Sequence, residues 1–287
     1  MKTITGHNGV RLHVATAGDP AKPAILLIHG GSQNSQSWKH QLSALAARFY
    51  LVAPDLRGHG ASDKPNAPSA YDNSTPWAGD INAIITQMGL KKPLLVGWSM
   101  GGWVVQDYIR THGDGAISGI VLIGTSVTTG QCSPDGVAVK RDADVVARGM
   151  YSDDPDENLA ATQKFIRACT ANPLTADDAA AMLDFNMLVP PHVRRAARYR
   201  HEDYRPTMAN LTVPALVVWG DKERLALPPM IDQTLATIPN AEALELNGLG
   251  HAPFFEDPDR FNPALAEFAT RARQKSDTSP TEIRQAI

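Results

Sequence analysis

Apolar and polar positions change rhythm several times along the 287 residues. Near the N-terminus, ITGHNGVRLHVATAG alternates residue by residue around Asn8-Gly9, the pattern of a β-hairpin closed by a tight turn. PAILLIHGG follows as an unbroken apolar run ending in glycines, which marks a strand covered on both faces. WKHQLSALAARF has helical spacing and YLVAPD is another short buried strand. DNSTPWAGDINAIITQMGL then offers polar caps and an early proline before an amphipathic helix. PLLVGWS, MGGWVVQDYIRTHG and ISGIVLIGT continue as strand, helix and strand. This alternation predicts a mostly parallel sheet wound by right-handed crossovers.

From about Thr128 to Asn210 the rhythm is helical, with no convincing strand. TADDAAAMLDFNML places Thr175 three residues before Asp178, close to a capping box. PPHVRRAARYRHEDY reads as another helix, opening on prolines. After Asn210, VPALVVWGD, PPMIDQTLATI, AEALELNG and PDRFNPALAEFATRARQ resume as strand, helix, strand and helix, making eight strands in all. The expected organisation is a core of residues 1–127 and 211–275, a helical insertion at 128–210, and a polar tail at 276–287 that frays from about Lys275.

Composition narrows the function classes. Hydrophobic residues make up 43% and charged residues 20%, as in ordinary globular chains, and the formal net charge of −3 gives no basic field for nucleic acid. No apolar run has the length of a bilayer span, and MKTITGHNGVRLHV alternates rather than forming the apolar centre of a signal peptide, so a cytoplasmic location is expected. Cys132 and Cys169 have neither zinc-like spacing nor a disulfide framework, and two free, partly buried thiols are expected. The chain carries no H-E-x-x-H, P-loop or dinucleotide fingerprint, so no metal or cofactor is expected. Monomer and dimer both stay open.

The chemistry centres on Gly97-Trp98-Ser99-Met100-Gly101, a G-x-S-x-G at the junction of a buried strand and a helix. A serine there is either an ordinary helix cap or a nucleophile. The sharp turn forces the central residue into a strained backbone and lifts its hydroxyl above the sheet edge. The glycines allow close approach of neighbouring segments, and the Met100 amide faces a position where an oxyanion is favoured. A neutral serine needs a base with a pKa near working pH. Of nine histidines, only His251 follows the last predicted strand, in LNGLGHAPFFEDP, at the sheet edge that also holds Ser99. His29, and Asp55, Arg57 and His59 in DLRGHGAS, read better as residues that lock loops than as chemical groups.

These motifs, in this order, resemble the α/β-hydrolase fold over nearly the whole chain: the hairpin, LLIHGG, APDLRGHGASD, GWSMGG, a helical insert, VVWGDKE and GLGHAPFFEDP. The resemblance implies a mostly parallel eight-stranded α/β-hydrolase sheet flanked by helices, with the insertion as a helical cap. It puts the nucleophile on Ser99, the base on His251 and the second oxyanion amide on Gly31, beside Met100. It places the triad acid three residues after a glycine. Counted from Gly220 this is Glu223, with Asp221 as the alternative acid. Glutamate departs from the usual aspartate, and the longer side chain must fold back to reach His251.

Relatives that replace the serine by aspartate are dehalogenases and epoxide hydrolases, so Ser99 points to acyl chemistry. The chain looks similar to small esterases and acyl-homoserine lactonases, which implies a small-molecule ester or lactone as substrate. A carbon–carbon bond hydrolase or haloperoxidase-like hydrolase with the same triad is the alternative, and a non-catalytic hydrolase-fold binding protein is another. Trp98, Gly30 and Met187 are the candidate substrate contacts. Met182, Leu183, Phe185 and Leu188 join Met187 as a possible acyl lining, though such spacing more often packs a helix on a core. Trp103 is either pocket wall or core, and Phe254 and Phe255 are expected to pack the His251 loop. Arg194, Arg195, Arg198 and Arg200 read as a solvated helix face.

Overall fold

The computed structural model describes residues 2–132, 148–198 and 200–278. Among the described residues eight strands form one sheet: β1 (Lys2–Thr5), β2 (Arg11–Ala17), β3 (Ala24–Ile28), β4 (Tyr50–Pro54), β5 (Leu94–Trp98), β6 (Gly119–Ile123), β7 (Ala215–Gly220) and β8 (Glu242–Leu246). Their order across the sheet is β1-β2-β4-β3-β5-β6-β7-β8. β2 pairs antiparallel with β1 and β4, and every other pairing is parallel. Asn8, at φ 56°, turns the chain between β1 and β2 as the Asn-Gly signal required.

Every residue of β3, β4, β5 and β6 is buried, which is why these segments read as continuous apolar runs. Alternate residues feed opposite cores. Leu95, Ile120 and Val217 pack with Trp77 and Ile81 of α2 (Ser74–Gln87), Val104 and Tyr108 of α3 (Met100–His112) and Ile231 of α8 (Pro228–Thr237). Leu94, Val96 and Trp98 face the other way, with Trp38 ahead of α1 (Lys39–Ala44), Phe254 and Phe255 of α9 (Pro253–Glu256), and Phe261 and Phe268 of α10 (Pro258–Thr278). Trp38 stacks on Phe254 at 4.2 Å.

Between β6 and β7 the described chain is helical: α4 (Pro155–Ala168), α5 (Ala176–Met187), α6 (Pro191–Arg198) and the single turn α7 (Arg205–Met208). Thr175 caps α5 by accepting from the Asp178 amide at 3.1 Å. Residues 133–147 of the expected insertion, and 279–287 of the expected tail, lie outside the described residues.

Two expectations change. α10 continues through Thr278 rather than fraying at Lys275, held by Arg273–Asp277 at 2.9 Å and by Lys92 Nζ donating to the Ser276 carbonyl at 3.0 Å. The arginines are not one solvated face. Arg194 is only 5% exposed, and its guanidinium donates to the Met150 carbonyl, Asn158 Oδ1 and Thr162 Oγ1, each at 3.1 Å, and to the Asn186 carbonyl. Burial draws its pKa down to about 10. Arg200 lies beyond α6, 1% exposed, and grips both Asp107 oxygens at 2.6 and 2.7 Å while Tyr204 donates to the same carboxylate at 2.7 Å. Only Arg195 and Arg198 are surface residues, the first paired with Asp153 and the second over the Tyr151 ring. Hydrophobic periodicity placed the helix; it carried no information about polar partners brought from other helices.

Candidate active site

Ser99 directly follows β5 and occupies the N-cap position of α3, but its side chain makes no capping hydrogen bond. Its backbone, at φ 53° and ψ −118°, lies in a region that costs a non-glycine residue roughly 1–3 kcal/mol. Two bonds hold it there: the Ser99 amide donates to the Ile123 carbonyl at 2.8 Å, and the Gly102 amide donates to the Ser99 carbonyl at 2.9 Å. The flanking glycines are there for space. A Cβ on Gly97 would meet the Gly101 carbonyl oxygen at 2.5 Å, and one on Gly101 would meet the Ile28 carbonyl oxygen at 2.3 Å. The strand-to-helix turn is therefore too tight for any side chain at either glycine.

His251 and Glu223 come together across the loops after β8 and β7. His251 Nδ1 lies 2.7 Å from Glu223 Oε2, with side-chain exposures of 2% and 3%. The Leu225 amide donates to Glu223 Oε1 at 2.7 Å, which folds the longer side chain back toward the imidazole. With Glu223 ionised, Nδ1 carries the proton and Nε2 is left as an acceptor. Gly124, just past β6, passes beneath the pair at φ 51°. Asp221 is exposed, bonded to the Gly248 amide and 2.8 Å from Lys222 Nζ, which holds its carboxyl below the usual carboxylate range.

Trp98 links the two halves of the site. It is buried, and its indole Nε1–H donates to the main-chain oxygen of His251 at 2.7 Å. The serine's neighbour thus fixes the histidine's backbone, a relationship with no signal in the sequence. Gly30 packs against the Trp98 ring and the Ser99 Cβ, while Gly31 lies next to Met100, the first residue of α3. Met182 and Phe185 are buried in the same apolar layer as Trp98 and Phe254, whereas Met187 is 39% exposed at the end of α5. The Trp103 indole, half-buried, reaches the Ser126 hydroxyl at 3.3 Å.

The loops under Gly30 and Gly31 are braced by neutral histidines. His29 Nε2 accepts from the Leu56 amide at 3.0 Å, and His59 Nε2 accepts from the Ser32 amide at 3.1 Å. Burial lowers their pKa values to about 4 and about 3. Asp55 accepts from the Ser35 and Ala61 amides, and Arg57 makes a two-pronged pair with Asp80 at 2.7 Å. Cys132 and Cys169 are both free thiols, Cys169 fully buried. Among the described residues, no three His, Cys, Asp or Glu side chains gather so as to hold a metal ion, and no helix is long and apolar enough to cross a membrane.

Comparison with known proteins agrees with this architecture. The esterase RhEst1 from Rhodococcus sp. ECU1013 superposes with a TM-score of 0.87 at 33% identity, over 94% of this chain and 98% of that one. The AB hydrolase superfamily protein YisY of Bacillus subtilis (strain 168) is 27% identical over 249 residues, 85% of this chain and 91% of the relative. The non-heme chloroperoxidase CPO-A1 of Kitasatospora aureofaciens is 28% identical over 287 residues, 94% of this chain and 100% of the relative. The model of the alpha/beta hydrolase family matches residues 25–264, and with the sheet order and the strand-to-helix turn at Ser99 this makes the chain a member of the alpha/beta hydrolase family.

Proposed function

We propose that the protein is a serine hydrolase that cleaves carboxylic ester or lactone bonds of small molecules through an acyl-enzyme. The observation that carries this reading is the strained, non-capping Ser99 directly after a strand whose last residue, Trp98, is bonded to the backbone of His251 in the buried His251–Glu223 pair. The similarity to an esterase over nearly the full chain supports it.

In this mechanism His251 Nε2 takes the Ser99 hydroxyl proton as Oγ attacks the substrate carbonyl. The Gly31 and Met100 amides stabilise the oxyanion, each such donor being worth about 10²–10³ in turnover. The C–O bond to the alcohol breaks, and His251 gives the alcohol oxygen its proton. Water then loses a proton to His251, attacks the acyl-enzyme and releases the acid, returning the proton to Ser99. Glu223 orients the imidazole and stabilises its charged form. The helical insertion serves as a cap over the strand ends, where open α/β sheets bind ligands. In this reading Gly30 and Met187 border the substrate path, Trp98 is packed behind Ser99, and the setting is a reducing cytoplasm. The likeness to a chloroperoxidase favours, as a second reading, a haloperoxidase-like hydrolase using the same triad.

A fluorophosphonate probe tests the chemistry. Stoichiometric labelling at Ser99, absent in Ser99→Ala, is expected, as is hydrolysis within a series of p-nitrophenyl esters of graded chain length and homoserine or aliphatic lactones. Folded protein that neither labels nor turns over either substrate class would reject the reading.

A further inference from the structure

The backbone on both sides of His251 is tied to the helical insertion. Residues 169–172, which join α4 to α5, lie directly against the histidine loop; a Cβ on Gly250 would come 2.6 Å from the Ala171 amide nitrogen. The Ala252 amide donates to the Cys169 carbonyl at 2.9 Å, and Asn172 Nδ2 donates to the Gly248 carbonyl at 3.2 Å. The Glu256 carboxylate completes the tie. Its Oε1 accepts from the Gly250 amide at 2.6 Å. Its Oε2 accepts from the Ala171 amide at 2.9 Å, the Asn172 amide at 3.0 Å and Asn172 Nδ2 at 3.3 Å.

Each oxygen of Glu256 therefore serves a different segment: one holds the residue before His251, the other the insertion. Hydrogen bonds to an ionised acceptor are roughly twice as strong as neutral ones, so this side chain shares the join with the direct Ala252–Cys169 backbone bond. The other restraints on His251, from Trp98 and Glu223, come from the sheet side. The base is thus suspended between sheet and insertion.

We infer that Glu256 is a positioning residue that couples the helical insertion to the base, so that the placement of residues 169–172 sets the orientation of His251. The inference rests on the triad proposed above. A substrate that orders the insertion thereby orders the imidazole through Glu256.

The test compares wild type, Glu256→Gln and Asn172→Ala in three measurements: the rate of fluorophosphonate labelling at Ser99 as a function of pH, kcat and KM for an ester, and the downfield proton resonance of His251 Nδ1–H. Gln keeps the shape but replaces one acceptor oxygen with a donor, forcing either Gly250 or Ala171 and Asn172 to lose its bond. Labelling and kcat are expected to fall about tenfold, the loss of one well-placed bond to a charged acceptor, with KM within about twofold. The apparent pKa of labelling should shift, and the downfield resonance should move or broaden. Asn172→Ala loosens the same tie from the insertion side and should move each readout in the same direction by less; it carries the test if Glu256→Gln does not fold. Variants that label at the wild-type rate with the wild-type pH profile, even with a lowered Tm, would overturn the coupling and leave Glu256 as fold support. Failure of wild type itself to label would instead overturn the triad, and is seen without any variant.

Discussion

His251 Nδ1 sits 2.7 Å from Glu223 Oε2, while Asp221, two residues earlier in the same loop, sends its carboxylate to the Gly248 amide and Lys222. The two acids therefore have separable roles. Glu223→Gln preserves volume but lets an amide N–H face the imidazole, favouring the wrong tautomer. Under the proposed triad this loss is expected to cut kcat by about 10⁴. Asp221→Asn should leave kcat within about threefold, since it touches only an exposed turn. Steady-state kinetics on one ester decide the matter, and the reverse pattern would move the acid role to Asp221.

Gly124 makes a second prediction. A Cβ there would stand 2.8 Å from His251 Nδ1 and 2.9 Å from Glu223 Oε2, and its φ of 51° already disfavours a side chain. Gly124→Ala must push the pair apart or shift the strand end. Displacements near 1 Å in a catalytic group cost about 10² in rate, so kcat should drop by about that factor. Unchanged turnover would count against the role proposed for the His251–Glu223 pair.

The sheet was legible because burial on both faces writes itself into β3–β6 as unbroken apolar runs, and the hairpin because Asn8-Gly9 has few other uses. The preference for Glu223 over Asp221 came only through the resemblance; the residues alone left both open, and the kinetics of Glu223→Gln and Asp221→Asn decide between them. What stayed hidden were partnerships made across the fold. Nothing in GWS announces an indole bonded to the His251 carbonyl, and nothing in FFEDP announces a carboxylate gathering amides from the insertion. Arg194 and Arg200 look like surface residues by type, and become interior residues only because oxygens from α3, α4 and α5 converge on them.

Strain at Ser99 should be measurable as stability. Ser99→Ala removes the hydroxyl but keeps a Cβ at φ 53°, whereas Ser99→Gly removes both. Glycine is ordinarily the weaker residue in regular structure by roughly 0.5–1 kcal/mol. Here the order should invert, with Ser99→Gly more stable than Ser99→Ala by about 1 kcal/mol, because relief of about 1–3 kcal/mol of backbone strain outweighs the entropy of the freer unfolded chain. Urea midpoints for the two variants give the comparison directly. Equal or reversed midpoints would show that the turn stores no strain against the side chain.

The pH dependence of stability follows from His29 and His59. In each, Nε2 accepts a main-chain N–H, from Leu56 and Ser32, so a proton added there would face a donor. Burial sets their folded pKa values at about 4 and about 3, below the unfolded value of 6.5. The unfolded chain thus begins to take up protons near pH 6.5 while the folded chain does not, and it binds more protons throughout the window below. Their contribution is fully present above pH 6.5 and is lost as the pH falls toward 4 and then 3, at about 1.4 kcal/mol per unit of separation. Chemical denaturation at pH 7.5, 6 and 4.5 should show the decline, and His59→Gln, which keeps an acceptor but cannot titrate, should make it shallower. An equally steep decline in the variant would assign the acid sensitivity to other groups. The structural consequence is local, because Ser32 adjoins Gly31: once His59 takes a proton, near its folded value of about 3 and after the stability decline has begun, the Ser32 amide loses its acceptor and the loop beside Gly31 is freed.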